Sequence, residues 1–217
     1  MKVPALTKTY DGKQVLNTPE IELEDGLVYA LIGTNGCGKS TFAGILAGVN
    51  DADVSWKAPK EIAIGYMPQK NYAFRMSVLH NMMLSGGGKD KAMALLEDFG
   101  IADLARNNAA ALSGGETARM AMARLLMQQY DLVILDEPTA AMDVTAALQA
   151  EEILMRYHKE TGCTVLLVTH SLKQARRLAD KVLFLKEGKL VEFGEAHKVL
   201  DNPQMSETKE FLDFYSL

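Results

Sequence analysis

The run Leu31-Ile32-Gly33-Thr34-Asn35-Gly36-Cys37-Gly38-Lys39-Ser40-Thr41 constrains this chain more than any other part of it. It satisfies G-x-x-x-x-G-K-[ST] between an apolar segment of strand character, Val28–Ile32, and a helical pattern from Ser40 to Ala47, which is the context such a phosphate-cradling loop needs. Gly33, Gly36 and Gly38 let the backbone wrap closely around phosphates, and Thr34, Asn35, Cys37 and Thr41 complete the cradle. The loop amides and the N-terminus of the following helix supply partial positive charge, and Lys39 adds a full one between a β- and a γ-phosphate. Ser40 is placed to ligate Mg²⁺. A strand–loop–helix unit of this kind belongs to an α/β layer fold, and the ligand it implies is a phosphate chain reaching to a γ-phosphate, with Mg²⁺.

Composition agrees with one such layer. A chain of 217 residues, 48% hydrophobic, can bury a sizeable core. With 23 Lys+Arg against 28 Asp+Glu, the net charge of −5 supplies no basic field for nucleic acid or anionic lipid, so phosphate must be held locally and no nucleic-acid partner is expected. Two cysteines, Cys37 and Cys163, without a secretory leader predict a reducing, cytoplasmic setting. Apolar runs such as Leu132–Leu135 and Val165–Val168 are strand-length, far short of the roughly 20 residues of a membrane helix.

The start reads as short strands over Lys2–Leu6, Gln14–Leu16, Glu20–Glu24 and Val28–Ile32, separated by the turn dipeptides Asp11-Gly12 and Asp25-Gly26. Val78 to Arg106 carries helix formers, broken at Gly86-Gly87-Gly88 and stopped by Gly100, as a small helical subdomain would. A helix opens at Ser113 and runs to about Gln129. Leu132–Leu135 and Thr164–Thr169 read as buried parallel strands joined by a right-handed crossover through a helix from about Val144 to Lys159. A hairpin turns around Glu187-Gly188-Lys189, and Ser206–Leu217 reads as a terminal amphipathic helix.

The strand Leu132–Leu135 delivers two carboxylates at its C-terminal end, Asp136 and Glu137, where α/β sheets place ligands. Asp136 suits an outer contact to the Mg²⁺ site, and Glu137 can polarise a water aimed at the γ-phosphate. Leu112-Ser113-Gly114-Gly115-Glu116 fits a capping box at a helix start, yet Gly114-Gly115 weaken a helix and make sense where phosphate approaches backbone amides. This pentapeptide resembles the signature motif of the ATP-binding cassette (ABC) proteins, and the resemblance covers essentially the whole chain.

The resemblance implies a P-loop NTPase with an ABC ATPase core, an N-terminal antiparallel β subdomain and a small helical subdomain inserted at about 70–112, all in one domain over 1–217. It implies a head-to-tail homodimer in which each ATP lies between one copy's Gly33–Thr41 loop and the other's Ser113–Glu116. It assigns Tyr10 to stacking on adenine, Gln69 to the Mg²⁺ and the nucleophilic water, Asp143 to communication across the dimer, and His170 to the γ-phosphate switch. Asp143 is equally well explained as a helix N-cap. Glu116 stands where the family more often has glutamine, Thr117-Ala118 lack the usual polar pair, and Arg119 matches.

The expected activity is hydrolysis of ATP to ADP and phosphate, coupled to separate membrane permease subunits and an extracytoplasmic solute-binding protein, with the chain peripheral on the inner face of the cell membrane. By analogy with the family import is expected: the Ile64–Leu84 stretch resembles ATPase subunits of tungstate-type oxyanion importers, while Phe193–Leu212, with Asn202-Pro203-Gln204 and Thr208–Leu212, resembles those serving polar amino acids and related oxyanions; an exporter or a soluble cassette ATPase fits less well. A small-molecule kinase has no use for Leu112–Glu116. Cys37, among amides and beside Lys39, is expected to favour its thiolate. Tyr72, Phe74 and Met76 are expected to be exposed in part, whereas Val78, Leu79 and Met82 fill a core.

Overall fold

The computed structural model of the protein describes residues 1–54 and 56–215. It begins with β1 (Lys2–Val3), β2 (Leu6–Tyr10), β3 (Lys13–Thr18), β4 (Ile21–Glu22) and β5 (Val28–Gly33). Of the strand expected over Lys2–Leu6, only Lys2–Val3 forms as β1, and a separate strand, β2, starts at the last of those residues and runs on to Tyr10. β1 pairs with β4 in a small antiparallel sheet, and β2 pairs with β3 in the main one. Pro4 lies at the break, where its missing N–H cannot continue a ladder.

After the phosphate loop come α1 (Lys39–Leu46), β6 (Ile64–Met67), α2 (Val78–Met83), α3 (Gly88–Asp98) and α4 (Gly114–Leu125). The second half alternates β7 (Leu132–Asp136), α5 (Val144–Thr161), β8 (Thr164–Val168) and α6 (Leu172–Leu178), then closes with β9 (Lys181–Lys186), β10 (Lys189–Glu195), α7 (Ala196–Asp201) and α8 (Ser206–Tyr215). α4 stops at Leu125 rather than near Gln129. β6, α6 and α7 have four, seven and six residues, too few for periodicity to register in the sequence. Ser216 and Leu217, the end of the expected terminal helix, lie outside the described residues.

Eight strands form one sheet in the order β2-β3-β10-β9-β5-β8-β7-β6. β9, β5, β8, β7 and β6 run parallel as neighbours, with α5 crossing between β7 and β8. The N-terminal antiparallel pair joins them through β10, where Lys189 meets Asn17. Every residue of β5, β7 and β8 is buried, because helices cover both faces of the sheet. Val133, Leu135, Val165 and Leu167 face α2 to α5, while Ile134, Leu166 and Val168 face α1 through Phe42, Ile45 and Leu46. Each such side chain contributes roughly 1.5–3 kcal/mol on leaving water, which is what holds the strand ends in register. Among the described residues, no helix is long and apolar enough to cross a membrane.

Candidate functional site

The parallel neighbours β5, β8, β7 and β6 all release the chain at one edge, and each releases a residue of chemical interest. The Gly33–Thr41 loop follows β5, His170 follows β8, Asp136 and Glu137 end β7, and Gln69 follows β6. A cleft of about 350 Å³ lies there, lined by Asn35, Gly36, Gly38 to Thr41, Gln69, Asp136 and Glu137. Val15 of β3 also lines it, a residue for which the sequence carries no signal.

The loop is braced from below. Lys39 is buried, and its Nζ donates to the carbonyls of Gly33 at 2.9 Å and Thr34 at 3.0 Å. The Gly188 amide, from the β9–β10 hairpin, donates to the Cys37 carbonyl at 2.9 Å. A Cβ on Gly38 would lie 2.7 Å from the Val15 carbonyl, and its φ of 104° is open to glycine alone, so this position admits no side chain. The support from Gly188 is a tertiary contact across the sheet, invisible in a sequence where the partners are so far apart.

Asp136 is 1% exposed, and its Oδ1 has no hydrogen-bond partner among the described residues. Burial pushes its carboxyl above the ordinary range, opposed by a hydrogen bond from the Ser40 hydroxyl and by the Lys39 charge. A buried acceptor of this kind beside a hydroxyl fits a hard cation with oxygen ligands. Glu137 has a φ of 52°, a left-handed conformation that is strained for a residue with a Cβ. His170 Nδ1 lies 2.7 Å from Glu137 Oε2, so a protonated Nδ1 donates to the carboxylate. His170 therefore meets the second carboxylate directly, a pairing its distance in sequence did not disclose.

Cys37 departs from expectation. Its side chain is buried at 4% exposure, and burial raises its thiol above the ordinary range, outweighing Lys39 and the loop amides. Cys163 is buried too, with its thiol raised for the same reason. At pH 7 both thiols are protonated and shielded. Iodoacetamide should label the native protein at least about tenfold more slowly than the urea-unfolded chain. Equally fast labelling of Cys37 in the native state, read by mass spectrometry, would restore the thiolate.

The other expected residues stand outside the cleft. Ser113 caps α4 in a complete capping box: the Glu116 amide donates to Ser113 Oγ at 3.4 Å, and Glu116 Oε2 accepts from the Ser113 amide at 2.7 Å. The Ser113 hydroxyl also donates to Glu116 Oε2 at 2.7 Å, which draws the Glu116 carboxyl below its usual range. A Cβ on Gly115 would lie 2.9 Å from the Ala141 carbonyl, so this glycine has a packing reason besides any phosphate. Asp143 caps α5 by accepting from the Ala146 amide at 2.9 Å. Tyr10, 44% exposed at the end of β2, carries the Lys8 ammonium 5.0 Å from its ring centroid. Tyr72, Phe74 and Met76 are exposed, while Val78 and Met82 are fully buried and Leu79 packs against the same cluster.

With this geometry in place, the chain compares closely with known proteins. The ABC transporter family model matches residues 16–140. An aliphatic sulfonates import ATP-binding protein of Streptomyces avermitilis is 34% identical, covering 94% of this chain and 79% of that one. A tungstate uptake system ATP-binding protein of Peptoclostridium acidaminophilum is 34% identical over 88% of this chain and 96% of its own length. A phosphate import ATP-binding protein of Ehrlichia ruminantium is 31% identical over 94% and 92%. Among solved structures, an ATP-binding subunit of an ABC transporter superposes with a TM-score of 0.83 at 20% identity, covering 100% of this chain and 99% of that one. The fold matches as well an Atm1-family ABC exporter, with a TM-score of 0.88 at 21% identity over 100% of this chain and 42% of that one. The strand-end cleft, the Ser113–Glu116 helix start and these likenesses converge: the chain belongs to the ABC transporter family and is one of its ATPase domains.

Proposed function

We propose that this ATPase domain powers import of a small oxyanion such as tungstate, as a head-to-tail homodimer beneath separate permease subunits on the cytoplasmic face of the cell membrane, with an extracytoplasmic solute-binding protein delivering the cargo. In this reading residues 1–217 act as one domain, and about 70–112 form its inserted helical subdomain. The observation that carries the dimer is the division of the site. Phosphate-loop and carboxylate groups line one cleft, whereas Ser113 to Glu116 are not among its lining residues, which supports a reading in which a second copy brings them to the nucleotide. The oxyanion is supported by the relatives, whose names concern import of sulfonates, tungstate and phosphate.

Within the cleft, the amides of Gly33–Thr41 and the Lys39 ammonium hold the phosphate chain, and Tyr10, outside it at the end of β2, stacks on the adenine. Ser40, Asp136 and Gln69 would hold Mg²⁺, which when bound would supply positive charge to offset that of the phosphates. Glu137 accepts a proton from the water that attacks the γ-phosphorus, leaving ADP and phosphate. His170 orients Glu137 through the 2.7 Å contact, and Asp143 couples the two copies.

The permease seat is assigned to the exposed loop at Tyr72, Phe74 and Met76. Fully buried Asn81 holds this loop, accepting from the Phe74 amide at 2.9 Å and donating to its carbonyl at 3.1 Å, and Arg124 donates to the Tyr72 carbonyl at 3.0 Å. Tyr72 and Phe74 pack edge to face, 4.9 Å between centroids, so an apolar anchor meets a preformed surface. Phe74→Asp should leave basal ATPase within about twofold of wild type and abolish co-purification with the permease subunits. Normal recovery of the complex would remove Phe74 from the seat, and stimulation of the reconstituted complex by tungstate over a neutral solute tests the cargo.

A further inference from the structure

The Glu137–His170 pair is closed into a ring by groups that none of the roles above uses. From Glu137 the chain runs through Pro138 to Thr139, whose Oγ1 accepts from Gln174 Nε2 at 3.1 Å. From Gln174 the chain runs back through the first turn of α6 to Ser171, its N-cap, whose Oγ accepts from the Gln174 amide at 3.2 Å, and so to His170. The contact of His170 Nδ1 with Glu137 closes the circuit. Every link is either covalent or a hydrogen bond.

Gln174 is 3% exposed, so the geometry of this link is not diluted by water. Its Nε2 also donates to Glu151 Oε1 at 2.9 Å. Glu151 is 6% exposed and takes a forked pair from Arg177, with Nε at 3.0 Å from Oε2 and an Nη2 at 2.7 Å and 2.8 Å from the two oxygens. A buried carboxylate satisfied in this way is rigid, because any displacement leaves charge unpaired. Glu151 lies on α5 and Gln174 on α6, so the amide of Gln174 ties the helix after His170 to the helix after Asp143 and to the turn after Glu137. The left-handed φ of Glu137 is held by its amide donating to the Val168 carbonyl at 3.0 Å and its carbonyl accepting from the Ala140 amide at 3.3 Å, and the link through Thr139 adds to that enforcement.

We propose that Gln174 and Thr139 are positioning residues for ATP hydrolysis: anchored on Glu151 and Arg177, they hold Glu137 and His170 in their productive contact. The inference rests on the assignment of Glu137 and His170 to hydrolysis made above. Neither Gln174 nor Thr139 touches the nucleotide cleft, so their loss should change turnover and not binding.

The test uses the full chain with MgATP. Thr139→Val removes the acceptor and keeps the shape; it should lower kcat about tenfold with KM for ATP within about twofold of wild type, whereas Thr139→Ser should restore turnover. Gln174→Leu should lower kcat at least as far as Thr139→Val, since it removes the bond to Thr139 and the anchor on Glu151 together, and the double variant should be no slower than Gln174→Leu, because the bond lost in Thr139→Val is already gone. In protein labelled with ¹⁵N-histidine, the ring signal of His170 should move in Thr139→Val while those of His80, His158 and His197 stay. If Gln174→Leu fails to fold, Thr139→Val and Thr139→Ser decide alone. Wild-type kcat in Thr139→Val, a change confined to KM, or an unmoved His170 signal overturns the inference. Normal turnover by Glu137→Gln overturns the hydrolytic assignment and this inference together, while a dead Glu137→Gln beside a normal Thr139→Val overturns this inference alone.

Discussion

Glu137→Gln should lower ATP hydrolysis about 10³-fold, equivalent to about 4 kcal/mol of barrier, while ATP still binds. The amide keeps the size of the carboxylate, and its carbonyl oxygen can still accept from His170 Nδ1, where the native contact is 2.7 Å. The strained backbone at φ 52° should therefore persist, and only the capacity to take a proton from water is lost. Binding should survive because the proposed phosphate contacts come from the Gly33–Thr41 loop and not from β7. With chemistry blocked and ATP retained, the proposed head-to-tail dimer should accumulate, visible as a doubling of mass in size-exclusion chromatography with MgATP. Single-turnover hydrolysis near the wild-type rate would take Glu137 out of the role of base.

Lys39→Ala should instead fail at binding, with Kd for ATP rising about 100-fold, if the ammonium supplies two charge-assisted hydrogen bonds of roughly 1.5 kcal/mol each to phosphate. The buried ammonium now bridges the Gly33 and Thr34 carbonyls, so it is already desolvated and oriented within the loop. A second consequence falls on Asp136. Lys39 is one of the influences that oppose the upward push of burial on that carboxyl, and its loss should protonate Asp136 at a higher pH than in the wild type. Nucleotide binding by Lys39→Ala should thus be weak throughout and weaken further as pH falls. Isothermal titration at two pH values reads both effects, and an unchanged Kd in a protein with a normal melting curve would contradict the loop assignment.

The Gly33–Thr41 run, the apolar strand ending in Asp136-Glu137 and the Ser113–Glu116 start were legible because each is local. A loop, a strand end and a helix cap are specified within a few residues, and their order along the chain identified the family. Asp143 and Ser113 were likewise legible as caps, since the capping side chain and its amide are three residues apart. Boundaries slipped where the signal is short or where one atom decides: the missing N–H of Pro4 divides one expected strand into two sheets, and α6 and α7 are too brief to show a period.

What only the tertiary structure decided is which of these local pieces meet, and in what dielectric. Sheet order sets β8 between β5 and β7, and so brings His170 to Glu137 and Gln69 to the same edge. The Cys37 thiol went the other way from its sequence neighbours, because the packing around it, absent from the local sequence, excludes water and outweighs the nearby charge of Lys39. Gln174, Thr139 and Glu151 looked like ordinary residues of two helices and a turn until the fold buried Gln174 and Glu151 and linked both, through the Gln174 amide, to half-buried Thr139. Covalent spacing determines what a segment can become; burial and strand order determine which charges are felt, because electrostatic energy depends on distance and solvent in three dimensions and not on separation along the chain.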